Sequence, residues 1–227
     1  MAPAAALLLG GGALLIALFR DAWFALVWRA CTRRVDAALR GVKRSLLAPL
    51  AGVVVEIGAG VGSSLPYFSP AVTALHLVEP NAAMHAALRA AVRASAHPRA
   101  AVLGCGAEAL PLASGSVDAV VCVLTLCSID DVPAAAREAH RVLRRGGRFV
   151  FVEHVRAAPG LVSALQRVAD ATFVYPALAG GCRLHRDSVA AIERALPPGA
   201  WARVDATSAP HPRGFPLPLA WGSATKA

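Results

Sequence analysis

Apolar positions along this 227-residue chain follow two rhythms. Short runs dominated by Val, Ile, Leu and Phe at 53–57, 73–78, 100–104, 117–123 and 148–153 have the length and make-up of buried strands. Between them apolar residues recur at helical spacing. Met84, Leu88 and Val92 mark the inner face of a helix over 81–94 capped by Asn81, and Pro133 opens a helix over 132–143 that gives out at Gly146 and Gly147. Strands alternating with helices predict a doubly wound α/β sheet, mostly parallel. Beyond Pro159 the pattern changes to a long apolar helix over 161–175 stopped by Pro176, a turn at 179–183, and a helix from Asp187 or Ser188 to 196. Two last strands at 201–206 and 219–224, joined by a turn carrying Pro210, Pro212, Pro216 and Pro218, bring the sheet to about seven strands.

The front of the chain reads differently. Residues 2–19 are uncharged, and after Arg20 and Asp21 the run 22–28 is apolar again. A span needs about 20 residues to cross ~30 Å of hydrocarbon. Trp23 and Trp28 suit the interface, and Arg29, Arg33, Arg34, Arg40, Lys43 and Arg44 follow as a basic flank. A cleaved leader needs its basic residues before the apolar run, and here they come after it. The reading is therefore a membrane anchor over 1–28 and a basic amphipathic linker helix over 29–50 lying near the membrane, with Val35, Leu39, Val42, Leu46 and Leu47 on one face. A single domain over 51–227 follows.

Composition adds to this picture. The hydrophobic fraction is 56% and mean hydropathy is +0.54, both pointing to membrane contact. The net charge is +9, and residues 1–50 hold seven Lys/Arg against two acids, which is +5 of it. No basic run interleaved with aromatics accompanies that charge, so the partner it implies is anionic lipid and not nucleic acid. Five cysteines without a Cys-x-x-Cys pair imply reduced thiols in the cytosol. Cys182 and His185 have metal-like spacing but lack a second ligand pair, so no metal is expected.

The chemistry centres on residues 53–64, where a strand breaks into Gly-Ala-Gly-Val-Gly at 58–62. Glycines there let backbone N–H groups approach a ligand at the carboxyl end of a strand. Ser63 follows the third glycine directly, so the spacing is not that of a dinucleotide fingerprint. Glu56 would sit badly beside a pyrophosphate and suits a ligand with an ammonium or sulfonium, and S-adenosylmethionine has both. Glu79, 17 residues after Gly62 at the end of the second strand, can accept two ribose hydroxyls. Glu108, in Gly-Ala-Glu at 106–108, is placed to accept from an adenine amino group beside the backbone of Ala107. Asp118 falls at the wrong end of its strand for a ligand and reads as structural.

The glycine turn resembles motif I of the class I S-adenosylmethionine-dependent methyltransferases. With it, residues 115–128 (GSVDAVVCVLTLCS), residues 141–154 (RVLRRGGRFVFVEH), Gly181-Cys182 and Arg186-Asp-Ser188 resemble the small membrane-associated thiol S-methyltransferases of the methyltransferase type 11 group. That family more often has Thr at position 61 and Asp at position 79, where Val61 and Glu79 stand here. The resemblance implies a Rossmann-like fold with S-adenosyl-L-methionine as cofactor, held by Glu56, Gly58, Gly60, Gly62, Glu79, Asn81, Ala107, Glu108 and Leu126. It implies a small lipophilic thiol as substrate and residence at the endoplasmic reticulum membrane or a lipid droplet, facing the cytosol. A lipid or isoprenoid substrate, or a surface protein with a vestigial cofactor fold, are the alternatives. Methyl transfer to a thiol needs alignment and the loss of one proton. The candidate acceptors are Cys127, Ser128, Asp130, Glu153 and His154, with His154 the favoured base and Asp130 beside it. Cys122 and Cys127 read as core residues. The helix from Leu161 is expected to cover the methyl-donor site with an apolar pocket.

Overall fold

The computed structural model describes residues 2–210 and 217–227, with side chains from residue 19 onward. Pro212 and Pro216 of the proline-rich turn lie outside the described residues. In chain order the elements are α1 (Ala2–Leu47), β1 (Gly52–Ile57), a short 3-10 turn (Leu65–Tyr67), β2 (Val72–Val78), α2 (Ala82–Arg93), β3 (Ala101–Leu103) and β4 (Val117–Val123). Then come α3 (Val132–Val142), β5 (Leu143–His154), α4 (Leu161–Ala171), α5 (Val174–Leu178), α6 (Ser188–Arg194), β6 (Trp201–Ala209) and β7 (Leu219–Lys226).

The seven strands form one sheet in the order β3-β2-β1-β4-β5-β7-β6. The first five pair in parallel, and β7 runs antiparallel to both β5 and β6. Alternation along each strand sorts the core into two layers. Val54, Val121 and Val150 pack with Leu88 and Val92 of α2, while Val55, Val120, Phe149 and Phe151 pack with Ala135 and Ala139 of α3 and Ile192 of α6. Strand order reverses between β1 and β4, so the crevice beyond their carboxyl ends is where an open α/β sheet receives a ligand. Asp118 is structural as expected: its carboxylate accepts from Val53 N at 2.7 Å and pairs with Arg144 at 2.6 Å.

The second part of this front segment departs from its reading as a linker helix lying near the membrane. One helix runs unbroken from Ala2 to Leu47. From Phe19 onward, where side chains are described, no helix is long and apolar enough to cross a membrane. The stripe at Val35, Leu39, Val42 and Leu46 exists, but it lies on the domain itself, packed against Val152 and Leu219. An apolar face at helical spacing fits a sheet as well as a bilayer, and spacing alone does not say which. Lys43, read as part of a basic flank, is 1% exposed. Its ammonium pairs with Asp36 at 2.7 Å, donates to Ser63 O at 2.9 Å and sits 4.8 Å from the Tyr67 ring centre, and Tyr67 in turn donates to Asp36. A fully buried ammonium held by a part-buried carboxylate and a backbone carbonyl makes this half of α1 part of the folded core.

Two further differences have local causes. The helix expected over 161–175 is broken, because Phe173 adopts φ +57 between α4 and α5. It is also turned inside out: Ser163 and Gln166 face inward, while Leu161, Leu165, Val168, Phe173 and Val174 are exposed. The expected apolar pocket under this helix is therefore not formed by it. Strand β5 begins at Leu143, five residues earlier than its apolar run, because Leu143 pairs with Val117 and the residues up to Gly147 form an irregularity before Arg148 pairs with Ala119.

Candidate active site

A cavity of about 350 Å³ opens beyond the carboxyl ends of β1 and β4. Its floor is the glycine turn. Gly58 and Gly60 hold φ +72 and +57, and a Cβ on Gly58 would meet Thr125 at 2.3 Å. Side chains are excluded there by backbone conformation and by space together. Gly62 plays a different part, since it packs against Leu65, Leu88 and Ala91 and does not line the cavity.

Glu79 stands at the end of β2 on the cavity wall, almost fully buried. One carboxylate oxygen accepts from Gly60 N and the other from Asn81 N, each at 2.8 Å. A carboxylate has about four acceptor positions, so each oxygen keeps one for a ligand hydroxyl. Burial pushes the Glu79 carboxyl above its ordinary range, against the pull of those two N–H groups. Asn81 caps α2 through Ala83 N at 3.0 Å and donates from its amide to Asp21 O at 2.8 Å. Ala107, Glu108, Ser128 and Asp130 complete the residues expected from the sequence that meet in this cavity.

Glu56 is adjacent but separate. It is buried beside a small void of about 20 Å³ between α1 and the glycine turn, and Trp28, Gly58 and Leu124 border both spaces. Its Oε2 is buried without a hydrogen-bond partner, and desolvation pushes its carboxyl up to about 7. An orphaned acidic oxygen one residue layer behind the turn fits a cationic ligand group.

Four further expected positions, Leu126, Cys127, Glu153 and His154, are elsewhere. Leu126 lies fully inside the core, because Leu124 at φ +54 ends the strand alternation and turns Leu124 itself toward the cavity. Glu153 is fully buried and accepts from the backbone N–H groups of Thr125, Leu126 and Cys127 at 2.9, 2.9 and 3.3 Å, which shapes the loop after β4. Its carboxyl is pushed up to about 7 by burial. His154 does not line the cavity and sits behind its wall with Cys127 and Cys182.

Reading the sequence missed one whole wall. Arg20, Asp21, Phe24 and Trp28 of α1 line the cavity, with Phe24 and Trp28 stacked at 5.9 Å. The Trp28 indole nitrogen lies 3.0 Å from where a Gly60 Cβ would be, and the Phe24 ring lies 2.7 Å from that position on Gly180, so only glycine admits so close a helix. The available signal was their shared helical face, at spacings of three, four and seven.

Residues 55–151 match the family model described as "Methyltransferase domain". The chain is 34% identical over 145 residues to thiol S-methyltransferase TMT1A of Homo sapiens, a match covering 63% of this chain. It spans 58% of that relative's length. It is 28% identical over 184 residues to thiol S-methyltransferase TMT1B of Homo sapiens, covering 76% of this chain and 74% of that one. Among solved structures, a SAM-dependent methyltransferase of Thermotoga maritima described as a possible histamine N-methyltransferase superposes with a TM-score of 0.64 at 21% identity, covering 92% of this chain and all of that one, a likeness of fold.

Proposed function

We propose that the chain, whose residues 55–151 match the methyltransferase domain model, transfers a methyl group from S-adenosylmethionine to the sulfur of small lipophilic thiols at a membrane surface. The observation that carries this reading is the convergence of the glycine turn, Glu79, Asn81, Glu108 and Asp130 on one cavity at the strand-order reversal. The residues fit the cofactor. Glu79 keeps acceptor positions for the ribose hydroxyls, Ala107 and Glu108 would hold the adenine, and the unpartnered Glu56 oxygen would take the ammonium. Bound there, S-adenosylmethionine supplies a methyl group already activated on a sulfonium.

The chain's remaining work is to orient the acceptor and accept one proton. A free thiol with a pKa of about 8.5 is a few per cent thiolate at neutral pH, so a modest acceptor suffices. Asp130 is the candidate base that reaches the cavity. Phe24, Trp28, Val123, Leu124 and Ile129 give the wall an apolar and aromatic character that favours a lipophilic acceptor.

Membrane contact is supported by the outward side chains of α4 and α5, with Leu161 77% and Phe173 67% exposed, and by Phe19, Trp23 and Leu26 on α1. The exposed Arg29, Arg33 and Arg34 follow on the same helix and suit anionic lipid. The proposed residence is the cytosolic face of the endoplasmic reticulum or of a lipid droplet.

The experiment is methyl transfer from labelled cofactor to an acceptor panel by the purified chain. A neutral alkyl thiol should exceed glutathione in kcat/KM by about tenfold or more, because the charged groups of glutathione would lose hydration without partners. Turnover of an isoprenoid and of no thiol would replace this reading with a lipid methyltransferase. Cofactor affinity is a second check. A carboxyl that titrates near 7 must give up its proton to hold an ammonium, so binding releases a proton below that pH and affinity falls as pH is lowered through about 7. Glu56→Gln will flatten the dependence. Parent affinity that is level between about pH 6 and 8 would remove Glu56 from the cofactor site.

A further inference from the structure

Behind the wall formed by Ser128 and Gly180, three chain segments bring together side chains that no sequence motif connects. Sulfur atoms of Cys127 and Cys182 and a ring nitrogen of His154 all lie within 4.8 Å of one another. Both cysteines are buried, and His154 Nδ1 is buried without a hydrogen-bond partner. The arrangement is held by the backbone. Cys127 N donates to Glu153, the residue before His154, while Arg183 N donates to Cys127 O at 2.8 Å and ties the Cys182 turn to the Cys127 loop. Asp170 accepts from Leu184 N and His185 N at 2.8 and 2.9 Å and fixes the far side of that turn.

Two thiols and an imidazole form a borderline-soft donor set, and their spacing needs only slight contraction to surround one ion. We propose that Cys127, His154 and Cys182 form a three-ligand site for a single zinc-class divalent cation, with its fourth position open to an exogenous thiol. Three protein ligands and one open position are the pattern of zinc sites that act on a substrate. Loading releases two protons as the thiols become thiolates, and the paired charges cancel those of the ion. An acceptor thiol entering the fourth position loses its S–H proton to solvent as its sulfur bonds the metal. The extra negative charge meets the half-buried Arg186 guanidinium, which is held nearby by Leu126 O and Ile129 O. Cys127 adjoins Ser128, and Cys182 follows Gly180 by two residues, and Ser128 and Gly180 both line the cofactor cavity. The ion would thus sit one residue layer from the methyl-donor site. The role of the fourth position rests on the thiol reading above, whereas binding of the ion does not.

The test uses the full chain, reduced and stripped by chelator, titrated with Co²⁺ as the spectroscopic probe and with Zn²⁺ in competition. One Co²⁺ per chain should bind with thiolate charge-transfer absorption in the near ultraviolet and tetrahedral bands in the visible, and Zn²⁺ should displace it. Cys182→Ser and His154→Gln should each weaken binding by about 100-fold, while Cys105→Ser, outside the cluster, should not. A neutral alkyl thiol should shift the visible bands. The parent chain needs no substitution to fail: absence of stoichiometric Co²⁺, or a Cys127–Cys182 disulfide trapped by alkylation directly from cells, overturns the site. Visible bands that ignore added thiol overturn the open fourth position. Metal-free chain that methylates thiols at full rate overturns the ion's part in the reaction and leaves the proposed function standing. Stoichiometric Co²⁺ on a chain that methylates no thiol supports the site and fails the proposed function.

Discussion

Replacing Glu79 by Ala will weaken S-adenosylmethionine binding by about 2–4 kcal/mol, roughly 30- to 1000-fold, because two charge-assisted hydrogen bonds to the ribose are lost. The same carboxylate also supports the apo fold. Its oxygens are the acceptors of Gly60 N and Asn81 N, and each buried N–H left without a partner costs about 1–3 kcal/mol. Thermal stability should therefore fall along with affinity, and the two effects need separating. Glu79→Gln keeps one acceptor oxygen and nearly the same volume, so it should retain more stability than Ala while losing most of the ribose contact. Calorimetric titration below the melting transition of each variant reads affinity on folded protein. Binding by Glu79→Ala at the parent's affinity would mean that the end of β2 has been misassigned.

The sheet and the glycine turn were legible because they depend on local pattern. Val54 and Val55 face opposite layers as any strand dictates, and positive φ at Gly58 and Gly60 is what a strand breaking into a tight turn requires. The positions of Glu79 and Asn81 were legible for the same reason, since their offset from the glycine turn is set by one short 3-10 turn and one strand. What escaped depended on partners distant in sequence. The stripe through Val35, Leu39 and Val42 carried no mark to say that its cover was Val152 and Leu219 and not lipid. Leu126 was misplaced by a single residue's dihedral at Leu124, which changes the phase of everything after it. Cys127, His154 and Cys182 stand at spacings of 27 and 28 residues, and only the carboxyl edge of the sheet, with the turn after α5, gathers them.

The second large effect concerns α1. Deleting residues 1–28 will weaken cofactor binding by about 2 kcal/mol, roughly 30-fold, although the cut leaves the glycine turn and all seven strands in place. Treated as a detachable anchor, this segment should have left binding unchanged. The structure puts the Phe24–Trp28 stack on the cavity wall, with Trp28 against Gly60, and makes Asp21 O the acceptor of the Asn81 amide. The deletion thus opens one side of the cavity to water and frees the residue that caps α2. The retained half of α1 stays folded, because Leu39, Lys43 and Leu47 are buried in the domain independently of the part removed. Trp28→Ala tests the same wall without a truncation and should give a smaller loss in the same direction, about 1–2 kcal/mol. Melting curves of both proteins check that the domain is intact. Parent-like affinity in the deletion and in Trp28→Ala together would take α1 out of the cofactor site, whereas a loss in both identifies its aromatic face as the lid under which the methyl donor is held.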